Sequence, residues 1–327
     1  MKKLILLIIL VTILFSACSA RGEEPEIFNV TFREGGNYVS TGRTELTIFL
    51  RDGVDITPLR HFQNLEMLSL SGAWEVDDLT TIVGLSDLAE ILAELPNLRI
   101  LSMPLLPIED LAPFANLAQL RYLSLLRNEI TDISPLAQMT NLTELRLDEN
   151  PIQDITPLAQ MTQLRELSLN GTLVQDISPL AYLTRLERLT LCLAAWDANE
   201  QMWILGQVHD ITPLETLRQL THLVLRNTQL QDLSPLASLH QLVYLDLMDN
   251  QIYDLSPLAG LINLEELYLE GNNILDISPL VGLTSLQALD VGENPVIDLS
   301  PVEHFSNIRI NPRSSRQGFP APPEDGG

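Results

Sequence analysis

Residues 132–137 read DISPLA. Near copies begin at 154, 176, 232 and 254, and shortened or altered forms at 55, 110, 210, 276 and 298. At almost every occurrence an aspartate precedes a serine or threonine by two positions, and that spacing admits two readings. One is a ladder of carboxylates holding metal ions. Calcium takes about six to eight oxygen ligands, and nothing else in the unit supplies oxygens at that spacing. The other is structural: serine and threonine are preferred helix N-caps, and proline is favoured at the first helical position. DISPLA then marks the start of a short helix, with Ser134 as cap and Asp132 accepting hydrogen bonds from the turn. A second reactive candidate is Cys192 with His222, a thiol and an imidazole of the kind that serves nucleophilic catalysis. No HExxH, GxSxG or phosphate-binding glycine loop accompanies them.

The elements that must position these groups form a repeat. LxxLxLxxN begins at Leu120, Leu142, Leu242 and Leu264, with degenerate copies at Leu65, Leu98, Leu164, Leu186, Leu220 and Leu286. Each step is 22 residues from Leu98 to Leu186 and again from Leu220 to Leu286, and LTIFL at 46–50 fits one further strand. The LxL core alternates like a short strand, and stacked units place such strands in parallel. Asn128, Asn150, Asn250, Asn272 and Asn294 stand where the chain turns off the strand. A side-chain amide there can satisfy backbone groups that leave the ladder. Thr172, Ala194 and Thr228 interrupt this series.

Positions flanking the inward leucines face the concave side of such a stack. One column reads Tyr122, Glu144, Glu166, Arg188, His222, Tyr244, Glu266. The next reads Ser124, Arg146, Ser168, Thr190, Val224, Asp246, Tyr268, Asp290, and a third includes Leu126, Asp148, Asn170, Cys192, Arg226, Met248 and Glu270. The mixture of tyrosine, arginine, methionine and acid has the composition of a protein-binding surface and lacks the basic stripe that nucleic acid requires. Tyr122, Arg188, His222, Arg226, Tyr244, Met248 and Tyr268 are the partner-binding candidates; an ordinary solvated surface is the competing reading of each. On this register Cys192 and His222 lie four positions apart along neighbouring strands, ~13 Å at ~3.3 Å per residue, beyond hydrogen-bond reach. The chain is therefore not expected to be an enzyme, and no cofactor or metal is implied.

Two steps are long. Between Leu65 and Leu98 the extra length reads SDLAEILAELP, which predicts a longer convex helix with Ser86 as cap and Pro96 as stop. Between Leu186 and Leu220 it falls in LAAWDANEQMWILGQVHD. Asp197 with Glu200 makes a capping-box pattern, and Gly206 suits a helix end, which predicts a two-turn helix over 198–205. This 194–207 insertion holds Trp196 and Trp203, as binding anchors at the edge of the concave face or as packing over the interrupted asparagine series.

The chain has 327 residues and a net charge of −24, spread along its length. Such a surface repels phosphate backbones and anionic headgroups, which argues against nucleic acid as partner. Met1–Lys3 and the apolar run that follows form a signal peptide over 1–17, too short for a typical span. Ser16 and Ala17 before Cys18 resemble a bacterial lipobox, which implies lipidation of Cys18; cleavage of an ordinary signal peptide nearby is the alternative. The expected organisation is a lipidated linker and cap over 18–42, repeats over 43–310 and a disordered tail over 311–327, with Phe305 and Ile308 closing the last repeat.

The 22-residue pattern resembles the leucine-rich repeat class shared by the internalins of pathogenic bacteria and the protein-phosphatase regulatory subunits, over roughly residues 43–305. The resemblance implies an α/β solenoid, a leucine-rich repeat horseshoe with a concave parallel β-sheet and short convex helices or 3-10 turns. The signal sequence favours the exported, internalin-like branch, whose members bind proteins through the concave face. No immunoglobulin-like domain or wall-anchor motif follows the repeats, so a host-receptor role does not carry over. The expectation is a lipoprotein of the bacterial cell envelope, exposed outside the cytoplasm and tied to a membrane only through its N-terminal lipid, with a protein ligand. A structural spacer and a carbohydrate-binding module are the alternatives, and oligomeric state is left open.

Overall fold

The computed structural model describes residues 42–50, 56–72, 85–197, 202–205, 208–303, 305 and 309–310. The expected signal peptide, Cys18, nearly all of the expected linker, Ile308 and residues 311–327 lie outside the described residues. Twelve strands form one sheet: β1 (Glu45–Leu50), β2 (Met67–Gly72), β3 (Ile100–Ser102), β4 (Tyr122–Ser124), β5 (Glu144–Arg146), β6 (Glu166–Ser168), β7 (Arg188–Cys192), β10 (His222–Arg226), β11 (Tyr244–Asp246), β12 (Glu266–Tyr268), β13 (Ala288–Asp290) and β14 (Arg309–Ile310). Each pairs in parallel with the next, and Leu123, Leu145, Leu167, Leu189, Leu223, Leu245, Leu267 and Leu289 meet as register partners. Outside this sheet, β8 (Ala194–Asp197) and β9 (Met202–Leu205) form a ribbon of their own.

A single repeat shows how the core is filled. Leu123, Leu125, Ile130, Ile133, Leu136, Met139 and Leu142 are all buried, so one turn of the coil sends seven apolar side chains inward. No repeat could cover these alone; stacking buries them between neighbours. The chain returns along the convex side in short 3-10 turns, each with proline in its first positions. Proline fits there because its missing N–H would have had no partner.

The hexamer works differently from its sequence expectation. Ser134 is the first residue of the 3-10 turn, Ile133 holds the cap position, and no side-chain cap bond is made from it. Asp132 takes that role: its Oδ1 accepts the Ser134 N–H at 2.8 Å, and Ser134 Oγ donates to Oδ2 at 2.9 Å. The hydroxyl donates to the carboxylate, so it is the aspartate that satisfies the turn. The backbone half of this bond recurs from Asp110, Asp154, Asp176, Asp210, Asp232, Asp254, Asp276 and Asp298. At Asp154, Asp210 and Asp254 the hydroxyl and then the N–H of the turn hold the carboxyl below its usual range.

The first insertion forms α1 (Leu85–Ala93), ahead of Pro96 as expected. The helix begins at Leu85, so Ser86 sits inside its first turn and does not cap it.

The asparagine series is a set of clamps between repeats. Asn272 Nδ2 donates to the carbonyl of Leu247 one repeat back and to that of Leu269 in its own, both at 2.9 Å, while its Oδ1 accepts the Ile252 N–H at 3.0 Å. Asn128, Asn150, Asn250 and Asn294 repeat this geometry. The residue before each clamp turns through positive φ: Arg127, Glu149, Asp249, Gly271 and Glu293. Glycine suits this conformation best, and at Gly271 a Cβ would also lie 2.6 Å from Asp249 Oδ1, so that a larger residue there would have to turn the aspartate aside.

Candidate functional site

The strand pairing lines up the concave positions. Tyr122, Glu144, Glu166, Arg188, His222, Tyr244 and Glu266 are successive register partners, as are Val224, Asp246, Tyr268 and Asp290. His222, Tyr244 and Tyr268 come together as an aromatic row. The His222 and Tyr244 rings stack with centroids 5.8 Å apart, and Tyr244 and Tyr268 are tilted with centroids at 5.5 Å. Burial and then Arg188 push the His222 imidazole below its ordinary value. Tyr268 donates to Glu266 Oε2 at 2.7 Å, and that bond is the largest reason its phenol is pushed up to about 12. Burial, followed by the Asp246 charge, raises Tyr244.

Beside the row lies an acid that sequence reasoning left off its candidates. Asp246 is fully buried. Its Oδ2 accepts Arg226 Nε at 2.8 Å, with Arg226 Nη2 also upon it, and the Tyr244 hydroxyl at 3.3 Å; its Oδ1 accepts the Met248 N–H at 3.2 Å. Burial opposes the Arg226 charge, but the hydrogen bond and charge of Asp246 outweigh it and raise its pKa. Arg226 and Met248 are thus both tied to one carboxylate. An acid where the two preceding strands carry Thr190 and Val224, one strand along from Arg226, is the sequence signal for this.

The N-terminal half of the face is built otherwise. The Arg146 guanidinium carbon sits 5.8 Å from the Tyr122 ring centroid. Arg188 lies 3.4 Å from Glu166, and Glu144 is raised by burial and then by Glu166. Between the halves, Asn170 bonds to Asp148, Ser168, Thr190 and the Cys192 N–H.

The second insertion corrects the sequence expectation. Where the second half of a two-turn helix over 198–205 is expected, 202–205 is strand: β8 and β9 pair antiparallel, with Trp196 and Trp203 as register partners. A two-turn helix makes few internal bonds to offset its nucleation, and tryptophan and isoleucine suit strands. Residues 198–201 and Gly206 lie outside the described residues. The insertion leaves the main register intact: Arg188 pairs with His222 and Cys192 with Arg226. Cys192 and His222 therefore remain four positions apart. Among the described residues no three His, Cys, Asp or Glu side chains converge as metal ligands, and no helix is long and apolar enough to cross a membrane.

The sequence matches the family described as Leucine Rich repeats (2 copies) over residues 118–160, 218–260 and 262–304. Among solved structures the chain is similar to an internalin (inlF) of Listeria monocytogenes, with 25% identity and TM-score 0.62, over 85% of this chain and 90% of that one. The chain carries leucine-rich repeats and is similar in fold to a Listeria internalin. Internalin C2 of the same species matches with 29% identity and TM-score 0.53, over 72% and 86%. The solenoid also matches the plant peptide hormone receptor RGFR1 in complex with RGF2, with 19% identity and TM-score 0.56 over 77% of this chain and 40% of that one, a likeness of fold alone. No significant match was found among curated protein sequences. Leucine-rich repeat solenoids typically present their concave face to other proteins and are typically not enzymes.

Proposed function

We propose that this protein is exported, anchored through a lipid on Cys18, and binds a protein partner through its concave face. The observation that carries the binding reading is the aromatic row His222–Tyr244–Tyr268, whose side chains are half-buried on a sheet face. Tyrosine in such a setting offers large contact area at low entropic cost. The ribbon with Trp196 and Trp203 leaves the sheet beside Cys192, at the edge of the same face, and Tyr122, Arg188, Arg226 and Met248 complete the proposed surface. The lipid reading rests on Ser16, Ala17 and Cys18 after the apolar run.

The test is capture from envelope extracts by the soluble form, residues 24–327, and by Tyr244→Ala with Tyr268→Ala, both checked for folding by circular dichroism. A partner bound by the first and at least about tenfold weaker on the second supports the concave site, as loss of two aromatic anchors requires. Equal capture by both sinks it. Envelope polysaccharide in place of protein would favour the carbohydrate reading, and no ligand at all the spacer. Radiolabelled palmitate incorporation should vanish in Cys18→Ala; its persistence would remove the anchor.

A further inference from the structure

We infer that the Tyr244 and Tyr268 rings form a seat for a basic side chain, so that the partner presents a lysine or arginine to the C-terminal half of the concave face. This rests on the protein-binding reading above and names what that site takes. The argument compares the same stations in two halves of the sheet. In β4 and β5 a ring, Tyr122, has a carboxylate as register partner, Glu144, and a cation two residues beyond that, Arg146, whose guanidinium lies over the ring. In β11 and β12 the ring is Tyr244 and the register partner is again a carboxylate, Glu266. The third station is a second ring, Tyr268, with its centroid 5.5 Å from that of Tyr244.

The N-terminal half thus supplies its own cation, and the C-terminal half offers rings and acids. Among the described residues Arg146 over Tyr122 is the one cation–π contact. Arg226, two strands from Tyr268, is committed to the buried Asp246. Each ring has a carboxylate as register partner on the following strand, Glu266 for Tyr244 and Asp290 for Tyr268. A ring face attracts a cation through its quadrupole, and an adjacent carboxylate adds an ion pair. A net charge of −24 steers a basic surface toward this protein before contact.

The test uses the exported chain with 13C-labelled tyrosine rings. It is titrated with the acetylated, amidated pentapeptide Gly-Ser-Arg-Ser-Gly and with the same peptide carrying glutamine for arginine. The arginine peptide is expected to shift the Tyr244 and Tyr268 ring resonances and to bind at least about fivefold more tightly than the glutamine peptide. Tyr244→Phe with Tyr268→Phe keeps the rings and should keep the preference; Glu266→Gln with Asp290→Asn should lose it. Equal affinity of the two peptides, or a preference unchanged in the carboxylate variant, overturns the seat. The two readings fail separately. A captured partner that needs Tyr244 and Tyr268, but binds equally well when its interface lysines and arginines become glutamines, overturns the basic seat and leaves the concave-face reading standing.

Discussion

The rungs at Asn250, Asn272 and Asn294 and the rungs at Thr172, Ala194 and Thr228 share one sheet and one leucine core, yet they are joined differently. In the first group every asparagine reaches a carbonyl one repeat back. In the second, Thr172 reaches only Leu169 in its own repeat, and the Ile152 N–H, which an asparagine at 172 would have taken, turns to the Asn150 carbonyl instead. At Leu193 the left-handed residue that precedes each clamp is missing, and the chain runs on into the β8–β9 ribbon. The strands nevertheless stay in register across the gap. Sheet pairing and core therefore set the path of the solenoid, while the clamp locks the exit from each strand. Of the three rungs without an asparagine, Thr172 and Thr228 keep the left-handed residue before them, at Gly171 and Asn227, and the chain leaves to build something else at Ala194.

The sharpest break of this contrast is Asn272→Ala. It leaves the Ile252 N–H without its partner in a buried place and takes one of two amide donors from the Leu247 and Leu269 carbonyls, which keep Asn250 and Asn294, and it is expected to cost about 2–3 kcal/mol in urea unfolding, while Thr172→Ala, with one bond, costs about 1 kcal/mol. Equal losses would remove the distinction. Downstream of the gap, Arg226 and Asp246 tie β10 to β11. Arg226→Met should destabilise by about 2 kcal/mol, less than a fully buried pair because the guanidinium side chain is 39% exposed. Restoring a clamp with Thr172→Asn should recover about 1 kcal/mol and move the Ile152 amide proton resonance as its partner changes. The smallest effect is at His222. Its folded pKa lies below the ordinary 6.5, so its contribution to stability is present above that value and is lost as pH falls through the folded one. An NMR titration of the imidazole should find the midpoint below 6.5, and Arg188→Gln should raise it. An unmoved midpoint would leave burial as the sole cause.

Much of this was legible in the 22-residue period. A strand's side chains alternate, so the LxL spacing alone chose which residues face the core and which share a concave column. The clamps were legible as well, since an amide both donates and accepts and recurs where the strand ends. Two local readings failed for related reasons. Ser134 has a cap's identity, but it is the first residue of the turn and caps nothing, while Asp132 accepts its N–H as the sequence suggests. Asp197 and Glu200 have a helix start's spacing, but AAWD and MWIL find each other as strands. Asp246 looked like one more exposed acid, and its burial depends on Arg226 from the neighbouring strand.

The sequence by itself determined the solenoid, its register and the composition of its concave face, because a repeat built from local periodicity needs only its neighbour to complete it. The tertiary structure alone decided which side chains meet across strands: the stacked His222, Tyr244 and Tyr268, the carboxylate beneath them, and the form of the insertion. The contacts between rungs join residues 20 or more apart, and rotamer, burial and hydrogen bonding choose among neighbours that spacing leaves equivalent.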